Sequence, residues 1–359
     1  MKKIKLLLTF DYELPLGGIR QSYHHSLFDP TERLLQLAQK LDVPLVFFAD
    51  ILSYKKFDEW GVADYTIPFK KQIQKAIQGG HDVQLHIHSH WLTSSYKNGN
   101  FVPSGDFELA GFAKQDYPGN IEGIIQEGVK GLNEIARETG PDYACVAFRA
   151  GGYNLNQETA RILKALHSEG IRYDSSIAPG YFFTSGISRV DYRRVPRLPN
   201  WYLDLDGDIS KPGDSPGILE IPIAAKPKGL FEIPTRFKLK KYAHRAVEDR
   251  GKMIHAAHKA ATIDQIQQLF ASRMLTVDNH TYSVDYMLAI LDYNIQKFKD
   301  EAEIYLSLIG HPKSMGDYSL QLLEDFVNRC REKYGDQIDF CTFDDLYQKR
   351  IHENYGKNK

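Results

Sequence analysis

Residues 80–91 read GHDVQLHIHSHW. From Asp82 to His88 polar and apolar side chains alternate without a break, the period of a β-strand. Val83, Leu85 and Ile87 share one face; Gln84, His86 and His88 share the other. Just upstream, "IPFKKQIQKAIQGG" (67–80) repeats its apolar residues at helical spacing and stops at Gly79-Gly80. A helix, a glycine turn and a strand with histidines at its far end are therefore expected in that order.

The same grammar runs outward in both directions. "IKLLLTF" (4–10), "PLVFFADI" (44–51), "YACVAFRAGG" (143–152), "IRYDSS" (171–176), "GILEIPIAA" (217–225), "EIYLSLIGHP" (303–312) and "QIDFCTF" (337–343) read as strands. Between them, 30–43, 120–140, 156–170 and 319–335 carry helical spacing. Repeated strand–helix alternation means a parallel sheet with helices outside it. Seven or eight strands predict an α/β fold, a distorted (β/α) barrel, with functional residues at the C-terminal strand ends. The polar stretches 92–120 and 181–217 are expected as long cleft loops, and 231–285 as a basic, mainly helical insertion. Its His244, His255 and His258 read as exposed helix histidines rather than ligands. The whole of 1–359 is expected to be one domain.

Composition narrows the function classes. Lys plus Arg number 45 and Asp plus Glu 46, so no basic excess points to a nucleic-acid partner. No run of about 18 apolar residues exists, so no membrane span is expected. The start, "MKKIKLLLTFDYE", resembles a signal peptide, but its apolar run is short and holds Lys5. Cys145, Cys330 and Cys341 are widely spaced and form no CxxC pair, which fits reduced thiols in a cytoplasmic protein. Aromatic residues are abundant, enough for a packed core or for sugar-stacking surfaces.

The strand ends carry the chemistry. Asp11 and Glu13 end the first, and His86, His88 and His90 the third; Arg149, Asp174 and His311 end later ones. His86 and His90, four residues apart, approach one ion together if the strand then bends. Imidazoles with one or two carboxylates suit zinc or a similar borderline metal. The segment is neither HExxH nor helical, which disfavours a zincin-type protease.

In order along the chain, "LTFDYE", "GHDVQLHIHSHW", "FRAGGY", "YDSS" and "GHP" resemble the motifs of NodB-type polysaccharide deacetylases, the carbohydrate esterase family 4 group. "TFDYEL" with "GILEIPI" is most similar to the WalW-like branch, associated with cell-wall or surface-polysaccharide genes. The resemblance covers roughly 4–226 and 303–347. It implies Asp11 as catalytic base, Arg149 held near it, His311 as general acid, and His86 and His90 as metal ligands. The family's second Asp is replaced by Tyr12, so either Glu13 or Asp11 itself completes the metal shell. His88 is extra, as a lining or supporting group. The family's proline is missing from "FRAGGY", where a backbone N–H near Gly152 would face the oxyanion. Asp174 is either catalytic or an ion partner of Arg149, and Tyr12, Trp91 and Tyr153 are expected to touch substrate.

The function implied is metal-dependent removal of an N-acetyl group from an amino sugar, with acetate as product. The expected cofactor is one divalent ion, zinc first and cobalt or nickel as alternatives. In a cytoplasmic setting the substrate would be an N-acetylated sugar, free or linked to a lipid or nucleotide carrier. Two alternatives stand beside it: an amide hydrolase acting on a non-sugar substrate, and a silent relative that binds glycan or a partner.

Overall fold

The structure is a computed structural model that describes residues 3–185, 188–214, 216–229, 248–252, 262–278, 281 and 283–355. Most of the expected insertion, with His244, His255 and His258, lies outside the described residues. Nine strands form one sheet: β1 (Lys3–Tyr12), β2 (Val46–Asp50), β3 (Asp82–Ile87), β4 (Ala147–Ala150), β5 (Tyr173–Asp174), β6 (Trp201–Tyr202), β7 (Leu219–Glu220), β8 (Glu303–Gly310) and β9 (Ile338–Phe340). Their order is β6-β7-β5-β4-β3-β2-β1-β8, with β9 beside the first half of β1. All pairs are parallel except β6 with β7.

The sheet curls until its ends meet. Beyond β7 the chain continues to Ile223, which bridges Ser307 of β8 in parallel. Ser307 N–H donates to Pro222 O at 3.0 Å, and Ala224 N–H donates to Ser307 O at 2.9 Å. The backbone of 275–277 then runs along the end of β8, with Ile309 N–H donating to Leu275 O and Val277 N–H to Ile309 O. The result is the distorted α/β barrel that the strand–helix alternation predicts.

Helices α1 (Asp29–Leu41), α2 (Ile51–Glu59), α3 (Ala63–Gln78), α4 (Ile121–Arg137), α5 (Thr159–Ser168), α6 (Thr262–Phe270), α7 (Val284–Lys297) and α8 (Asp317–Tyr334) accompany the sheet. α4 shows why such segments pack. The Asn120 side chain caps its start by accepting from Gly123 N–H, and Ile121, Ile124, Ile125, Val129, Leu132 and Ile135 make one buried stripe. No described helix is long and apolar enough to cross a membrane.

Strand parity sets what faces the barrel interior. Leu6, Leu8, Phe10, Tyr12 and Leu14 join the large core shared with the helices, whereas Leu7 joins Val46, Phe48, Ala147, Tyr173 and Leu219 in a second cluster. Thr9, Asp11 and Glu13 share the face of Leu7, because side chains two apart on a strand point the same way. The polar stretches expected as loops hold small elements of their own. Ser95–Lys97 pairs with Asn100–Val102, and Phe182–Thr184 pairs with Arg189–Asp191.

Candidate active site

The C-terminal strand ends meet in a buried polar layer above the interior apolar cluster. Asp50, His86 and Arg149 lie at one level, paired in register across β2, β3 and β4. Asp11 and Glu13 project beside them from the end of β1, and His311 follows β8 from the other side.

Arg149 anchors the layer. Its guanidinium lies 4.2 Å over the Phe48 ring, Nε–H donates to Ser175 O at 2.7 Å, and Nη2–H donates to Ser175 Oγ at 3.0 Å. Nη1–H donates to Asp11 Oδ1 at 2.8 Å. A fully buried guanidinium must be paired, and this bond also turns Asp11 Oδ2 toward the centre. Asp11 Oδ2 lies 3.6 Å from His311 Nε2 and 4.0 Å from His86 Nε2.

His86 presents a lone pair. Its Nδ1–H donates to the Arg149 carbonyl at 2.8 Å, so in the neutral ring the lone pair sits on Nε2, which is aimed inward, 3.5 Å from Glu13 Oε2. Glu13 Oε2 also touches His88 Nε2. His86 Nε2, Glu13 Oε2 and both nitrogens of His88 and of His90 are fully buried and complete no hydrogen bond of proper geometry. Buried polar atoms need partners, and lone pairs converging on a common point are what a cation satisfies. Donor atoms of Glu13, His86 and His88 lie within 4.8 Å of one another, and so do those of Asp11, Glu13 and His311.

The electrostatics favour positive charge here. Burial alone would lower the His86 imidazole, but Asp11 and Glu13 outweigh it and hold it up at about 9. Burial alone would raise Glu13, but the Lys313 ammonium and His88 hold it well below the usual carboxylate range. A borderline divalent ion fits the set His86, His88 and Glu13: two imidazoles, one carboxylate and no competing donor on the orphaned atoms.

Sequence spacing pairs His86 with His90, but the structure brings His88 into the cluster. β3 ends at Ile87 and the chain enters a tight turn over Ser89–Thr93, which breaks the alternation. The His90 ring stacks on Phe107 at 4.7 Å and leans on Trp91 at 4.7 Å, where burial, with His88 adding, lowers it to about 2. Trp91 is fully buried among Phe57, Trp60 and Phe101, so it lines no cleft; its Nε1–H donates to Asp50 Oδ2 at 2.5 Å. Tyr12 points out of the barrel against Phe47 and Phe69, its hydroxyl donating to Gln72. Its parity forbids the centre, and Glu13 occupies the place beside Asp11.

Asp174 is likewise apart. It faces outward from β5, accepting from Ser176 Oγ at 2.6 Å beside Glu220, its in-register neighbour on β7, and makes no ion pair with Arg149. Gly152 and Tyr153 adopt left-handed backbone, φ +59° and +60°. Nothing lies within 4 Å of where a Gly152 Cβ would stand, and the turn swings the Tyr153 hydroxyl into hydrogen-bond contact with His311 Nε2 at 3.1 Å.

Three functional groups escape sequence reading. Asp278 accepts from His311 Nδ1–H at 2.9 Å, from His311 N–H and from Ser314 Oγ–H. Burial would raise Asp278, but the imidazole holds it at about 2; in return His311 is raised, its burial outweighed by Asp278. Asp50 accepts from His88 N–H at 3.2 Å and so fastens the turn that delivers His88. Lys313 Nζ donates to Glu13 Oε1 at 2.7 Å. Asp50 closes an apolar run, as Asp11 does, and that signal was there to be used; Asp278 and Lys313 sit in segments without periodicity.

No family model matches the sequence, and no curated protein matches it. Among solved structures the chain is similar to Puue allantoinase, with 14% identity over 99% of this chain and 92% of that one, TM-score 0.49. It is similar to a probable polysaccharide deacetylase from Pseudomonas aeruginosa PAO1, with 14% identity over 98% and 91%, TM-score 0.46. A third likeness is to the Bc1960 peptidoglycan N-acetylglucosamine deacetylase, with 12% identity over 96% and 89%, TM-score 0.39. The solved structures it resembles thus include polysaccharide deacetylases at low sequence identity.

Proposed function

We propose that the chain is a metal-dependent hydrolase that removes the N-acetyl group from an amino sugar and releases acetate. The observation that carries this reading is the pairing of an orphaned His86–His88–Glu13 donor set with Asp11 and His311, which stand 3.6 Å apart beside it. Zinc is the ion assigned, with cobalt or nickel accepted by the same donors. When bound, it supplies Lewis-acid activation of the amide and of water.

The protein groups divide the proton work. Asp11, steadied at Oδ1 by Arg149, takes the attacking water's proton on Oδ2. His311, fixed by Asp278 with Nδ1 protonated, presents Nε2 and gives a proton to the departing amine. The short Asp11–His311 gap lets the first proton replace the second, so the site is reset without an outside acid. The open backbone at Gly152 and the Tyr153 hydroxyl stand where oxyanion and substrate would be held. Likeness of "TFDYEL" and "GILEIPI" to the WalW-like branch supports a surface-polysaccharide or cell-wall precursor. All three cysteines are free and buried, which fits a cytoplasmic setting and a free or carrier-linked sugar.

The test is acetate release from N-acetylated sugars by the zinc-reconstituted protein. Asp11→Asn and His311→Ala should each slow turnover by about 100-fold or more, as losing a general base or acid does. Rates unchanged in both variants would rule the assignment out.

A further inference from the structure

Lys313 has no part in the proton transfers above, yet it reaches into the centre. It leaves the turn after β8, two residues beyond His311, and donates to Glu13 Oε1 at 2.7 Å while lying 3.4 Å from Leu14 O. Its side chain is 17% exposed against 4% for Glu13. An ammonium held that far from solvent needs a reason, because desolvation opposes it and a surface pair would serve solubility as well.

The two donor sets supply that reason. Glu13 is common to both: it closes the set with His86 and His88 through Oε2, and the set with Asp11 and His311 through Oε1. A carboxylate shared between two donor sets is the bridging ligand of a two-metal centre, whose ions stand about 3.5–4 Å apart. Here one of the two oxygens is taken by Lys313. Asp11 is similarly matched by Arg149. We propose that Lys313 is a protein-borne cation standing in the place of a second metal ion, and that it keeps the centre mononuclear. The inference rests on the metal-dependent reading.

Removing the charge leaves Asp11 Oδ2, Glu13 Oε1 and His311 Nε2 facing one another without the ammonium, a set that divalent zinc can enter. The measurement is zinc retained per chain after reconstitution and dialysis, by elemental analysis, for the wild type, Lys313→Met and Lys313→Arg. Expected are about one, about two and about one, since arginine keeps the charge and methionine only the volume. One equivalent in Lys313→Met, with first-ion affinity unchanged in a chelator competition, overturns the proposal and leaves the metal reading standing. No zinc in the wild type but one equivalent in Lys313→Met overturns the metal reading for the native chain and, with it, the lysine's part in keeping a centre mononuclear. No zinc in any variant overturns both. If Lys313→Met does not fold, as judged by circular dichroism, Lys313→Gln carries the same comparison, because it too lacks the charge.

Discussion

His88 and His90 are two positions apart and end in opposite surroundings, one against Glu13 and the other flat between Trp91 and Phe107. Metal binding should follow that difference. His88→Ala is expected to weaken zinc binding by about 10-fold or more, in the range seen when a metal's supporting shell is disturbed. His90→Phe, which keeps a flat ring in an apolar slot, should retain the ion. Titration against a chromophoric chelator checks both, and the reverse pattern would return His90 to the ligand set. Asp11, Glu13, His86, Arg149 and His311, legible as polar residues at strand ends, do gather in one buried layer. The spacing pairs His86 with His90, whereas the structure sets His88 against Glu13, because alternation holds only while the strand lasts and nothing in "HIHSHW" announces that the strand stops at Ile87. Which way Asp174 faces was not legible, because a two-residue strand gives too little pattern to fix parity.

β3 and β4 approach each other most closely just past their ends, and Gly151 makes that possible. A Cβ there would stand 2.4 Å from Ile87 O and 2.9 Å from His88 Nδ1. Gly151→Ala therefore has to push the His88 ring or part the two strands. We expect a loss of about 1–3 kcal/mol in stability, the usual penalty of overpacking. Zinc affinity should fall more than that of a control such as Gly152→Ala, whose Cβ meets open space. Calorimetric melts and the chelator titration separate the two effects; wild-type zinc affinity in Gly151→Ala would show that His88 is not held by this contact. Longer elements were legible by periodicity, since β1, β3, β8, α1, α4 and α8 each repeat their pattern several times. α2 begins at Ile51, immediately after β2, with no turn residue between them, so no punctuation marks the boundary. β6 has two residues and gains its place only by pairing with β7.

At the level of the whole molecule, the barrel wall holds two adjoining buried carboxyls, Asp174 and Glu220. Burial raises Asp174 from 3.8 to about 6, and burial together with Asp174 raises Glu220 well above its ordinary value. Both shifts are upward in the folded state, so the pair's contribution is fully present below the unfolded values and is lost as pH rises through about 6. At about 1.4 kcal/mol per pK unit, Asp174 alone accounts for on the order of 3 kcal/mol across that window. Urea midpoints should fall between pH 4 and pH 7, and Glu220→Gln should flatten the decline. An identical slope in that variant would exclude the pair as its source.

Residues 275–278 bear on how freely the chain can be re-engineered. They lie inside the stretch, 231–285, that composition marks as an insertion, yet Leu275 and Val277 bond to the wall of the barrel and Asp278 steadies His311. The stretch is therefore not a detachable module with two cut points of equal worth. Its downstream limit falls before Ser272, whose N–H donates to Gly180 O, and a graft or truncation that runs on to Asp278 removes the carboxylate that holds His311 along with the appendage.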